Sequence, residues 1–473
     1  MFSSLDERCI LAETIAAIST ALGEGGIGIV RVSGPASLDI MRKMMSSCPD
    51  NVVSRHAYMA KVVDKDSKII DEAVFLYMKS PASYTGEDML EIQAHGSNVS
   101  LKEILRNVLA CPFEGIRMAK LGEFTKLAFL NGKMDLSQAE AVIDIIKAKT
   151  DISLDIAEKQ RDGRLSFAIK NIRESMLNIL AQMAVNIDYP DEDIDQESYD
   201  ELLDKLEAVQ TDVRKLLETS SIGRIAREGI KIAIVGKPNV GKSSLMNAIL
   251  GEGRVIVTNI PGTTRDTVEE SASINGIPIV LVDTAGLRET DDVVEKIGIE
   301  RTRQAISTAD MVVFVVDGSE KFTDTDNNYL SAVKAFDPER VLVVINKSDL
   351  GRTLKIEEIE DFLPGAKIIS TSLINESAIE SAQIISEAIA DIFEIGNLKT
   401  QETSIVSNER HIMMLNNADS NISDAISMIK AGEPLEVVEL SAHYAYDSLG
   451  KIIGEDVGDE VLNTVFSKFC LGK

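Results

Sequence analysis

Gly236-Lys237-Pro238-Asn239-Val240-Gly241-Lys242-Ser243 carries the full spacing of a Walker A loop, directly after an apolar run and ahead of a helical one. A loop of this kind turns successive backbone N–H groups toward one point, where the following helix N-terminus helps them hold phosphate oxygens. Gly236, Asn239, Val240, Gly241, Lys242, Ser243 and Ser244 are therefore the phosphate-side candidates. Lys242 is expected to reach the β- and γ-phosphates, and Ser243 to ligate Mg²⁺. Further on, Asn346-Lys347-Ser348-Asp349 closes a second apolar run. A carboxylate there can accept two hydrogen bonds from guanine's ring N–H and exocyclic amine, a donor pair adenine lacks. Such a string alone is a common surface turn; behind a Walker A loop and at a strand end it points to GTP.

Asp283-Thr284-Ala285-Gly286 ends a third apolar run, so Asp283 can hold Mg²⁺ through water and the Gly286 N–H can sense the γ-phosphate. Between these motifs lies the polar loop Pro261-Gly262-Thr263-Thr264-Arg265-Asp266, where Thr264 is the choice for a second Mg²⁺ ligand. A plain solvated loop is the alternative. Ras-like enzymes place a water-orienting glutamine after the glycine, whereas this chain has Leu287. Catalysis then needs another polar group and another source of positive charge. Glu295, in the acidic stretch 289–295, is one candidate, set against its being an ordinary solvated charge on a helix face. The catalytic candidates are thus Lys242, Thr264 and Glu295.

Alternating elements must position these loops. Apolar strands are expected at Lys231–Val235, Ile277–Val282, Met311–Val316, Val341–Ile345 and Lys367–Ile369, with helical segments between several of them. That alternation predicts a doubly wound, mostly parallel sheet covered on both faces. Upstream, residues 1–131 mix β-like runs (Ile27–Val32, Ala73–Met78, Met89–Gln93) with helical stretches such as Val99–Leu109, an α+β pattern. From Met134 to Ser221 helical periodicity dominates, with Leu136, Ala139, Val142, Ile143 and Ile146 on one stripe and a break at Tyr189-Pro190-Asp191. Helical periodicity returns after Glu394. The economical division is an N-terminal domain at 1–131, an all-α domain in two parts (132–222 and 394–473), and a nucleotide-binding domain at 229–393 inserted between them.

Composition narrows the function classes. At 473 residues, several cores are expected. A net charge of −27 argues against a broad grip on a nucleic-acid backbone, and 4% aromatics with no tryptophan argues against base-stacking platforms. Any nucleic-acid role needs a local basic patch or a partner that supplies one. Cys9, Cys48, Cys111 and Cys470 are widely separated without a CxxC pair, which suits a reducing compartment. The N-terminus lacks a basic region followed by an apolar run, and no stretch approaches a transmembrane helix, so a cytoplasmic chain is expected. The segment from Asp188 to Asp204 carries nine carboxylates and no basic residue; it reads as a solvated interhelical loop, or as a contact for a basic partner.

With these residues in place, the chain resembles the bacterial tRNA modification GTPases of the MnmE (TrmE) family, within the TrmE-Era-EngA-like P-loop GTPases. The resemblance runs through Gly26-Ile27-Gly28-Ile29-Val30-Arg31-Val32-Ser33-Gly34, Tyr84-Thr85-Gly86-Glu87-Asp88, Gly122-Glu123-Phe124-Thr125 and Ala128-Phe129-Leu130-Asn131-Gly132-Lys133. It continues through Pro190-Asp191-Glu192, the P-loop, residues 283–289 and Phe469-Cys470-Leu471-Gly472-Lys473. It implies a Ras-like GTPase domain that dimerises across the nucleotide and uses K⁺ where other systems use an arginine finger. By match to the family, Asn239, Thr258, Ile260 and Thr263 would hold K⁺, and Thr258, Asn259, Ile260, Pro261, Gly262, Thr263, Thr264, Asp283, Thr284, Ala285, Gly286, Asn346, Lys347, Ser348, Asp349 and Ser372 would complete the GTP site. Glu295 falls at the family's catalytic carboxylate, and Arg288 matches a switch arginine.

The resemblance also implies an N-terminal domain that binds a one-carbon tetrahydrofolate, 5-formyl or methylene, and holds a constitutive homodimer. Arg31, Glu91, Lys133 and Lys473 are the matching positions, with Cys470 beside them as reactive thiol or spectator. It further implies work on tRNA with an FAD-dependent partner, MnmG (GidA), in a heterotetramer that adds a carboxymethylaminomethyl or aminomethyl group to a wobble uridine. Leu121 stands where the family has proline, and the last guanine-side turn is Ser372-Leu373 or, alternatively, Ser370-Thr371. Two other functions fit the P-loop and Asn-Lys-x-Asp strings: a regulatory GTPase of ribosome assembly, and a dimeric scaffold with an incidental GTPase. The absence of a basic RNA-binding module weighs against the former.

Overall fold

The structure, a computed structural model, describes residues 13–21, 23–188, 199–252, 270–283, 294–374, 377–393 and 404–473. Contacts divide the chain into two units, one of residues 1–143, 160–196 and 434–473, the other of residues 144–159 and 197–433.

In the first unit, β1 (Thr14–Ile18), β2 (Gly25–Ser33), α1 (Ser37–Met44), β3 (Ala57–Val63), β4 (Ile69–Met78), β5 (Met89–Gly96), α2 (Asn98–Leu109), β6 (Ile116–Met118) and α3 (Glu123–Leu130) form an α+β layer. The sheet runs β3-β4-β5-β2-β1-β6, antiparallel throughout except where β6 joins β1. Side chains alternate between its faces, as the pleat requires. Ala16, Val30, Val32, Leu90 and Ile92 pack under α1 and α2 with Ile40, Met41, Leu101 and Ile104. Ile15 and Ala17 point the other way, to Phe124 of α3.

The helices that follow are α4 (Leu136–Lys147), α5 (Asp151–Arg161), α6 (Arg164–Asp188), α7 (Tyr199–Glu218) and α8 (Ser220–Glu228). The stripe on α4 is used as its spacing suggests: Leu136, Ala139 and Ile143 meet Leu462, Val465, Phe466 and Phe469, with Val142 alongside. Ile146, one turn further, is exposed.

In the second unit, β7 (Ile230–Val235), α9 (Lys242–Glu252), β8 (Glu270–Ile274), β9 (Ile277–Asp283), α10 (Val294–Thr308), β10 (Met311–Asp317), α11 (Asp324–Val333), β11 (Val341–Asn346), α12 (Ile356–Phe362), β12 (Lys367–Ser370) and α13 (Ser377–Ile392) build the expected doubly wound domain. Strand order is β12-β11-β10-β7-β9-β8, parallel except for the edge strand β8. Met311, Val313 and Val315 face α9 and α13, while Val312, Phe314 and Val316 face α10, α11 and α12. Burial on both faces explains why these strands read as unbroken apolar runs.

The chain closes with α14 (Glu409–Ala431), α15 (Leu435–Ile453) and α16 (Asp459–Ser467). Residues 404–408 are non-helical, and the helix after them starts only where Asn408 caps it through a hydrogen bond from the Arg410 N–H. In the first unit α15 packs along α6, where Arg173 lies 4.1 Å over the Tyr446 ring and pairs with Glu455 at 2.6 Å. In the second, α14 packs along α7, joined by Gln210–Ser423 and Arg214–Asp419. Among the described residues no helix is long and apolar enough to cross a membrane.

Candidate functional site

Four strands of the second unit deliver their C-terminal ends to one edge. Ile234 pairs with Asp283, Phe314 with Val235, and Asp317 with Asn346, so the P-loop and the aspartate of Asp-Thr-Ala-Gly leave the sheet side by side. Ligands of open α/β sheets bind in this crevice.

The P-loop has the backbone a phosphate cradle needs. Asn239 sits at φ 64° in the left-handed region, and Gly236 and Gly241 at φ 152° and 104°. An added Cβ at Gly236 would lie 2.3 Å from the Val315 carbonyl oxygen, and one at Gly241 would lie 2.2 Å from Asn346 Nδ2. Only glycine fits either place. Val240 is buried and anchors the loop in the core. The Lys242 ammonium donates to the carbonyls of Gly236 (2.8 Å) and Lys237 (2.7 Å), folded back over the loop it would otherwise extend toward phosphate. Ser243 and Ser244 lie exposed in the first turn of α9.

The guanine-side motif is bound into the same site. Asn346 donates from Nδ2 to the Val240 carbonyl (2.7 Å) and accepts from the Leu373 N–H (3.3 Å), bridging the P-loop to the turn after β12. Ser372 Oγ donates to Asp349 Oδ1 at 2.7 Å, whereas the Ser370 hydroxyl is taken by Arg352. Of the two alternatives, Ser372 is the hydroxyl that meets the Asp349 carboxylate. Lys347 is held at φ 63°, with its ammonium 2.5 Å from Asp317. Burial works to raise the Asp317 pKa, but Lys347 and the hydroxyl and N–H of Ser319 outweigh it and hold the carboxyl below its ordinary value. Asp317 was not singled out from sequence; an aspartate ending a buried apolar strand was the available signal.

Thr258, Asn259, Ile260, Pro261, Gly262, Thr263, Thr264, Thr284, Ala285, Gly286 and Arg288 lie outside the described residues, as does Cys9. Asp283 is placed by its backbone at the end of β9, and Glu295 by its backbone in the first turn of α10.

A second polar cluster sits on the α3 face of the first sheet. Arg31 and Glu91 are direct cross-strand partners and pair at 2.9 Å with both side chains largely buried. Arg31 also donates to the Gly472 carbonyl (3.1 Å) and lies 5.8 Å from the Tyr84 ring centre and 5.7 Å from that of Phe124. The terminal Lys473 is brought beside them: burial first, then the Arg31 guanidinium, push its pKa below that of an ordinary lysine. Lys133 reaches the Pro81 carbonyl (3.1 Å) next to Gly86. Cys470 is exposed. Ser33 Oγ lies 2.8 Å from Thr85 Oγ1 and donates to Glu87 Oε2 at 2.8 Å, a hydroxyl–carboxylate cluster that the individual residues did not announce.

Two family models match the chain: the MnmE helical domain over residues 136–470 and the GTP-binding protein TrmE N-terminus over residues 14–133. The tRNA modification GTPase MnmE of Clostridioides difficile (strain 630) is 44% identical over 465 residues, covering 98% of this chain and 99% of its own length. The tRNA modification GTPase MnmE of Bacillus mycoides (strain KBAB4) is 44% identical over 464 residues with the same coverage of both chains.

Proposed function

Since the chain belongs to the tRNA modification GTPase MnmE family, GTP hydrolases of tRNA modification, we propose that it runs a K⁺-stimulated GTPase cycle in the cytoplasm. In this reading a homodimer joins the FAD-dependent partner MnmG in a heterotetramer, and hydrolysis serves installation of a carboxymethylaminomethyl or aminomethyl group on a wobble uridine. The observation that carries the GTPase part is the convergence of Lys242, Asn346 and the Ser372–Asp349 pair at one sheet edge.

The residues act as follows. Asp349, oriented by Ser372, accepts the two N–H groups of guanine. Gly236, Asn239, Val240, Gly241 and Ser244 surround the phosphates, and Lys242 exchanges two carbonyls for phosphate oxygens. A hydroxyl donor set suits Mg²⁺ better than a softer metal: Ser243, with Thr264 and, through water, Asp283, would hold it. Asn239, Thr258, Ile260 and Thr263 would hold K⁺, and the ion would supply positive charge beside the phosphates. Glu295 orients the attacking water through a second water.

The second cluster fits a one-carbon tetrahydrofolate, 5-formyl or methylene. Glu91 is a buried carboxylate suited to the pterin amine and ring N–H, while Arg31, Lys133 and Lys473 offer cations to an anionic tail. When bound, the folate would supply the one-carbon unit.

Nucleoside analysis of bulk tRNA from a strain lacking this chain tests the assignment. Loss of the aminomethyl-type wobble uridine is expected; an unchanged nucleoside profile overturns it.

A further inference from the structure

The P-loop is tied down at a point its motif does not specify. Lys237 directs its ammonium, on a side chain 14% exposed, to the N-terminal end of α11. There it meets Asp326 at 3.2 Å and Glu320 at 3.0 Å. Asp326 is buried and occupies the third position of α11, where it also accepts from the Thr323 N–H (3.0 Å) and hydroxyl (2.5 Å). Thr323 caps the same helix in return, through the Asp326 N–H. Burial works against the charge on Lys237, yet the two carboxylates outweigh it and hold its pKa above that of an ordinary lysine. The ammonium therefore stays charged and paired.

That tether has a counterpart. The loop from Gly236 to Gly241 is bounded by glycines in unusual backbone conformations, so its path depends on side-chain anchors between them. Among the described residues the anchors are Val240, set in the core and held through its carbonyl by Asn346, and Lys237, held by α11. The same Lys237 offers its backbone carbonyl to Lys242 at 2.7 Å. One residue thus fixes the first half of the loop with its side chain and parks the phosphate-binding lysine with its main chain.

We propose that Lys237, through the buried Asp326, is a positioning residue for phosphate binding. It holds the loop entry so that Lys242 starts from one place and the N–H groups between Gly236 and Gly241 face the phosphates before nucleotide arrives. Preorganisation of this kind shows up in binding rather than in the chemical step. This rests on the GTPase reading, and the tests below separate the two, because failure of that reading removes nucleotide binding from the unaltered protein as well.

Affinity for GDP and GTP and steady-state hydrolysis are measured on the full chain carrying Lys237→Met, Asp326→Asn, both changes, Lys237→Arg, or Thr323→Val. Each of the first two should weaken binding of both nucleotides about tenfold and raise KM by a similar factor, with kcat at saturation within about twofold. The double variant should be no weaker than the worse single one, because both remove the same tether. Lys237→Arg should restore binding to within about threefold. Thr323→Val loses the helix cap but keeps the tether, so it should lower the melting temperature and leave nucleotide affinity unchanged. Unaltered affinity in Lys237→Met, additive losses in the double variant, or a Thr323→Val loss equal to that of Asp326→Asn would each overturn the assignment.

Discussion

Asp349 closes the Asn-Lys-x-Asp string and Asp317, at the end of β10, pairs with its lysine; the two do opposite work. Asp349 is exposed and held by Ser372, which leaves its carboxylate open to the guanine of the proposed reading; Asp317 is buried and spends its charge on Lys347. Asp349→Asn should weaken GTP binding roughly 10- to 100-fold, the worth of charge-assisted hydrogen bonds, and erase the preference for guanine over other purines. Competition binding with GTP and ATP checks this; an intact preference refutes it. Asp317 makes a different prediction, in stability. Its pKa is depressed in the folded state, so its contribution is fully present above the unfolded value near 3.8 and fades as pH falls through the lower folded value. Asp317→Asn should therefore cost about 1–3 kcal/mol at pH 7, where it strands the Lys347 ammonium, and progressively less as pH falls below about 4. Urea titrations across that range measure it, and an offset that stays constant with pH would refute the linkage.

At the scale of elements, glycine marks where two pieces of chain touch. Gly122 precedes α3 at φ 64°, and an added Cβ would lie 2.6 Å from the Phe466 carbonyl oxygen on α16. Gly132 follows α3 at φ 67° with open space around it. Gly132→Ala should cost only the left-handed backbone penalty, about 1–2 kcal/mol, whereas Gly122→Ala should cost more because it also pushes α16 away from α3. Melting curves of the two variants check this; equal losses would mean that α16 yields freely. The same scale shows what the sequence could and could not convey. Strands β7, β10 and β11 are buried along nearly their whole length, so an apolar run was enough to find them. β8, at a sheet edge and reading Glu-Ser-Ala-Ser-Ile, carries no such run, and in β3 a lysine interrupts the apolar residues of a largely exposed edge strand. The P-loop and Asn-Lys-x-Asp strings could be read because their spacing, each at a strand end and in that order, is the pattern expected of a phosphate loop and a base-reading carboxylate. Arg31, Glu91 and Gly472 meet through strand register and a chain return across 441 residues, which no local pattern encodes. They were reachable only by resemblance.

For the molecule as a whole, the proposed K⁺ site makes a demand that kinetics can measure. Hydrolysis should rise strongly, at least tenfold, when K⁺ replaces Na⁺ at constant ionic strength, with nucleotide affinity changing far less. Equal rates in the two salts would remove the cation from the mechanism. Within the second unit, the β8–β9 hairpin turns at Asn275-Gly276, where a methyl on Gly276 would lie 2.9 Å from Ile152 Cδ1 of α5. Ile156 of the same helix joins the core beneath the sheet, and Ser153 Oγ donates to the Ala226 carbonyl of α8 at 2.7 Å. The other end of that hairpin is Asp283, paired in register with the strand that feeds the P-loop. β9 is hydrogen-bonded to β7 on one side and to β8 on the other, so its two ends are held at a fixed spacing within the sheet. The turn against α5 and the strand end beside the P-loop are therefore opposite ends of one braced element, and a change in the length or register of that strand would shift both together.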